Sequence, residues 1–159
     1  MTRRLPKLIA IGALTGMALS ASMAGARSLE PLQFNDEYKD CEYSFYPADS
    51  KTAPLPKILQ ISVYEKPSGV IRRHGARQEL AIDQADWESL SRYKPGRHRL
   101  VLSGADITIV VSFTLDHGDC DAKLSDPKTQ SCMYGLEGSI KILTPKSKGS
   151  IAVRGAAGC

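Results

Sequence analysis

From Asp106 to Leu115 the chain reads DITIVVSFTL, with Ile107, Ile109, Val111, Phe113 and Leu115 alternating against Thr108, Val110, Ser112 and Thr114. A period of two with one apolar side predicts a β-strand that buries a single face. The stretch KILQISVYE at 57–65 follows the same rule, placing Leu59, Ile61 and Val63 opposite Gln60 and Ser62. Shorter segments of the same character lie at 41–45, 78–82, 99–103, 136–143 and 150–154. Together they predict about seven strands.

One segment carries a helical pattern. Asp83 is placed to cap the amides that follow, Asp86 stands three residues on, and Trp87 and Leu90 share a face, so a short helix is expected to stop near Tyr93. A lone tryptophan in such a helix is read as core rather than as a binding platform. Lys94-Pro95-Gly96 is a turn signal, and Ser103 to Asp106 is a tight connection between two strands. Short links of this kind join antiparallel neighbours. The expected fold is therefore mainly β: one antiparallel sandwich or partly open barrel with one short helix, disulfide-bonded, over 41–159. Residues 27–40 are polar with few core candidates and are expected to attach loosely until Cys41, and the proline-rich stretch 47–57 reads as an exposed link.

Residues 1–26 change the reading of charge and compartment. Arg3, Arg4 and Lys7 precede the apolar run LIAIGALTGMALSA, which is too short to span a bilayer, and Ala24-Gly25-Ala26 offers a cleavage site, so the segment reads as a signal peptide. It contains three of the 21 basic residues and none of the 17 acidic ones, so the mature chain is close to neutral. Near neutrality argues against a nucleic-acid partner, which requires a surplus of cationic side chains. No later stretch is apolar enough to insert in a membrane. The expected location is the periplasm or the exterior.

All four cysteines, Cys41, Cys120, Cys132 and Cys159, follow the leader, and an even number in a small exported chain implies two disulfides. Of the three possible pairings, Cys120 with Cys132 and Cys41 with Cys159 is favoured, because the first two flank one polar segment. No C-x-x-C spacing supports a zinc site.

That polar segment, DHGDCDAKLSDPKTQSC at 116–132, is expected to be the long connection of a hairpin. A disulfide at its base would present Lys123, Leu124, Ser125, Asp126, Pro127 and Lys128 as a semi-rigid tip for a partner. Asp119 and Asp121 alternate like calcium ligands, but the glycine and the distal glutamate of a calcium loop are missing, so neither metal nor cofactor is expected. His74, His98 and His117 lie in no zinc or nucleophile motif, and Glu79, Glu88 and Glu137 read as solvated charge, so no enzyme is expected. Two basic clusters, 71–77 and 92–99, offer Arg72, Arg73, Arg77, Arg97 and Arg99 as anion-binding candidates if they face one side. The leading functional expectation is a small binding protein that inhibits an envelope or secreted enzyme, for example a peptidoglycan hydrolase, through the stapled loop. The alternative is a structural or adhesive envelope module that binds another subunit or a polyanion through the basic patch.

Overall fold

The computed structural model describes residues 29–37, 41–63, 67–90, 92–120 and 132–158; the predicted leader, the loop tip with its six candidate contact residues, and Cys159 lie outside them. In chain order the described elements are β1 (Glu42–Pro47), β2 (Leu59–Ser62), β3 (Ser68–Arg73), β4 (Ala76–Ile82), α1 (Gln84–Leu90), β5 (Gly96–Ser103), β6 (Thr108–Leu115), β7 (Asp119–Cys120), β8 (Cys132–Leu143) and β9 (Lys148–Gly158).

Strands β1 to β6 pair successively as an antiparallel meander. β8 then pairs with β6, β9 with β8, and β9 returns to β1 through the register Glu42↔Gly158 to Pro47↔Val153. The ring is closed: the fold is an eight-stranded antiparallel barrel, with β7 a short ladder on the overhanging start of β8. This corrects the expected sandwich or partly open barrel. Closure removes the unpaired edges that an open sheet would leave to solvent.

The barrel strand absent from the sequence reading is β3. Its sequence SGVIRR does not alternate in burial, because Ser68, Gly69, Val70 and Ile71 are all buried. Only His74 and Gly75, at φ 54° and 75°, form the turn that the basic cluster 71–77 suggested. Ile71 points into the barrel, whereas Val70 and its partner Gln60 point outward and are nevertheless fully buried. The segment 29–37 crosses this outer side. The Glu30 and Leu32 amides donate to the Arg72 and Lys57 carbonyls at 2.9 and 2.7 Å, Leu29 and Leu32 are buried, and Asp36 holds the Arg72 guanidinium at 3.0 Å. The tail expected to be loose is thus fastened here, since two leucines and a charge network outweigh its polar composition.

Inside the barrel, alternate residues meet as the pattern of two requires. Phe45, Leu59, Ile61, Leu80, Leu100, Leu102, Ile109, Val111, Ile140 and Ile142 are all buried in one cluster. Each large side chain so placed stabilises the fold by about 1.5–3 kcal/mol relative to exposure. An eight-stranded barrel is just wide enough for its own side chains to fill it.

The helix occupies a gap in the wall. β4 and β5 share only the pairs Ala81↔Ser103 and Ile82↔Leu102. Beyond them α1 supplies what a strand would have given: the Asp86 carboxylate accepts from the unpaired Val101 amide at 3.2 Å, and Leu90 is fully buried. Asp83 caps the helix as expected, accepting from the Ala85 amide at 2.9 Å. Trp87 packs partly buried against the core.

Candidate functional site

One rim of the barrel gathers the start of β1, the helix and the β7–β8 ladder. Tyr43, Tyr93 and Tyr134 stack across it, with ring centroids 5.4 Å apart in both steps and planes within 7° and 12° of parallel. The Tyr43 hydroxyl donates to the Leu90 carbonyl at 2.8 Å, which ties the stack to the helix end. Tyr93 reaches its place through a left-handed backbone, φ 44°. Burial, with the neighbouring Tyr134 and Glu42 adding to it, pushes its phenol up to about 12, and burial likewise raises Tyr43. Both rings are thereby held in the neutral form, packed with the core at this rim.

The hairpin expected between Leu115 and Tyr134 is present, and its ladder runs further than the sequence suggested. Leu115 faces Leu136 and Asp119 faces Met133, so three residues on one strand oppose two on the other. This is a β-bulge at Asp116 to Gly118. A methyl group on Gly118 would run into the Tyr134 ring, so the bulge lies against the tyrosine stack. The ladder ends with Cys120 directly opposite Cys132. Beside it Met133 is 53% exposed. Cys41 is disulfide-bonded. Lys123, Leu124, Ser125, Asp126, Pro127 and Lys128 fall outside the described residues.

The five candidate arginines divide by their ion pairs. Arg72 is shared by Asp36 and Glu30 at 3.0 and 3.7 Å, Arg73 pairs with Asp106 at 2.8 Å, and Arg77 pairs with Glu79 at 2.8 Å. These three sit at the β3–β4 turn and hold other parts of the chain. Asp36 feels the consequence: the Gln33 amide, then the guanidiniums of Arg72 and Arg77, hold its carboxyl below the usual carboxylate range against the effect of burial. Lys57 is similar in reverse. Burial opposes its charge, but the Glu37 and Glu42 carboxylates at 2.7 and 2.9 Å more than offset this and raise it.

Arg97 and Arg99 are different. Both are exposed on β5, and neither makes an ion pair among the described residues. They border an open groove of about 390 Å³ across β5, β6 and β8, lined also by His98, Ser112, Phe113, Thr114, Glu137 and Gly138. Register explains the arrangement. Arg97, Thr114 and Glu137 stand side by side on successive strands, Arg99 stands beside Ser112, and the inward row between them is His98, Phe113 and Gly138. The His98 ring stacks on Phe113 at 5.2 Å and faces the Lys94 carbonyl at 2.7 Å, so its orientation is fixed from both sides.

Sequence reasoning grouped these two arginines with Arg72, Arg73 and Arg77, which make ion pairs at the β3–β4 turn. It assigned Glu137 to solvated charge and did not select Ser112 or Thr114. The alternation of β6 already put both hydroxyls on the polar side; only the register brings them beside Arg97 and Arg99. Among the described residues, no three histidine, cysteine, aspartate or glutamate side chains converge as metal ligands, and no helix is long and apolar enough to cross a membrane. In comparisons with protein families, with characterised proteins and with solved structures, nothing matches this chain.

Proposed function

We propose that this is an exported binding protein, not an enzyme, that inhibits a cell-envelope enzyme such as a peptidoglycan hydrolase by inserting the 121–131 loop into its cleft. The observation that supports this reading best is the position of Cys120 opposite Cys132 on the last step of the hairpin ladder. Directly opposed residues of an antiparallel pair have Cα atoms about 4.5–5.5 Å apart, within the range a disulfide requires. A bond there closes the loop at its base. Lys123, Leu124, Ser125, Asp126, Pro127 and Lys128 then have few conformations to lose when they enter a cleft, and what a loop does not lose in entropy appears as affinity.

The other proposed pair is Cys41 with Cys159. Supporting it, Glu42 faces Gly158, and these two residues are the chain neighbours of the two cysteines. This bond fastens β9 to β1 at the seam of the barrel, on the rim that carries the loop. The barrel interior is occupied by side chains, which leaves the rims and the outer wall for recognition.

Inhibition tests the reading directly. Mature, oxidised protein titrated into peptidoglycan-hydrolase assays is expected to abolish turnover near one equivalent. A variant in which Lys123 to Gln130 is replaced by a short glycine-serine link should keep the circular dichroism and melting temperature of the parent and lose inhibition. Equal inhibition by both proteins rejects the role of the loop.

A further inference from the structure

We propose that the groove across β5, β6 and β8 is a binding site for an acidic saccharide, that is, a sugar chain carrying carboxylates. Three features of the groove converge on this chemistry. First, Arg97 and Arg99 are the candidate arginines without an internal ion pair among the described residues, whereas Arg72, Arg73 and Arg77 are all engaged. Two residues apart on one strand, they project the same way about 7 Å from each other, a spacing suited to one carboxylate each or to two oxygens of one ligand. Guanidinium donors arranged in a fixed fork are the preferred partners of carboxylates.

Second, the other side chains at the groove are wrong for a bare anion and right for a hydroxylated one. Ser112 and Thr114 stand beside the arginines, and Glu137 follows Thr114 on the next strand. A carboxylate beside the two cations repels a simple anion. The same carboxylate accepts hydrogen bonds from sugar hydroxyls, and the serine and threonine hydroxyls donate or accept as needed. Arginine, hydroxyl and carboxylate stand in one row across three strands, at the strand spacing of about 4.8 Å. A ligand that bears a carboxylate at one position and hydroxyls at its neighbours matches that row.

Third, the floor is rigid and unobstructed. It is the main chain of His98, Phe113 and Gly138, whose side-chain positions face inward between the two polar rows and so do not rise into the groove. The His98 ring, held by its stack on Phe113 and its contact with the Lys94 carbonyl, braces that main chain from the inner side. The volume of about 390 Å³ lies within the range of small-molecule sites. The proposal uses only residues of the barrel wall, so it stands or falls separately from the inhibitory role.

The test is binding of tri-galacturonic acid to the full mature protein, followed by amide chemical shifts and calorimetry. Shifts at 97–99, 112–114 and 137–138, with no binding of neutral maltotriose, are expected. R97Q with R99Q should weaken binding at least about tenfold, a loss of about 1.4 kcal/mol. T114A with E137Q should also weaken it, while far-ultraviolet circular dichroism and melting stay as in the parent. Absence of shifts in the groove, undiminished binding by either double variant, or binding of inorganic phosphate as tight as that of the oligosaccharide would overturn the proposal.

Discussion

Single residues decide how tightly the wall can curl. Where β6 meets β8, a methyl group on Gly138 would collide with the Ser112 carbonyl and the Phe113 backbone, and on the seam a methyl on Gly155 would collide with the Ser44 carbonyl. Both obstacles are main chain and cannot swing aside, so the absence of a side chain is what allows the strands to approach. Gly138→Ala is therefore expected to destabilise the protein by about 2–3 kcal/mol, read as a lower denaturant midpoint with unchanged m. Gly75→Ala provides the contrast: nothing crowds it, and its cost comes from φ 75° alone. An alanine at Gly138 that leaves the midpoint unmoved would contradict the packing described.

At the scale of elements, the segment 29–37 shows how a polar stretch can be structural. Its charges are used in place of apolar area: Asp36 holds Arg72 and receives the Gln33 amide at 2.8 Å, while Lys57 joins Glu37 to Glu42. Because the folded Asp36 carboxyl lies below its ordinary value, it binds its proton less readily in the folded than in the unfolded chain. Its contribution is therefore present above the unfolded value near 4 and is lost as pH falls through the folded one. Asp36→Asn is expected to lower stability at neutral pH by about 1 kcal/mol after allowance for solvent screening, and to flatten the decline of the denaturant midpoint below about pH 4. A variant with the full acid slope of the parent would show that other carboxylates carry it.

On the scale of the whole molecule, the ring is shut by one long-range pairing, β9 with β1. It joins the first strand to the last, and Cys41 stands at its end in a disulfide. The proposed partner, Cys159, would make this a cross-link across nearly the whole domain, which restricts the unfolded chain more than any short ring. Cys41→Ser is expected to reduce stability by about 2–5 kcal/mol, measured by equilibrium unfolding without reductant. Loss of this bond should also raise hydrogen exchange in β1 and β9 before the β5–β6–β8 wall is affected, since that wall has its own uninterrupted ladders.

The sequence by itself determined the local elements. Ile107 to Leu115 had to form a strand because only a period of two sorts its residues, and Asp83 with Leu90 had to mark a helix because a cap and an apolar face coincide there. It determined too that Ser112 and Thr114 take the polar face of their strand. It did not disclose β3, whose residues are covered on both sides and so lose the alternation that identifies a strand. The tertiary structure alone decided closure, the division of the arginines into engaged and unpaired sets, and the row that joins Arg97 to Thr114 and Glu137. Closure depends on pairing between the two ends of the chain, and the row depends on register between strands, which packing of the whole ring sets and no local period encodes.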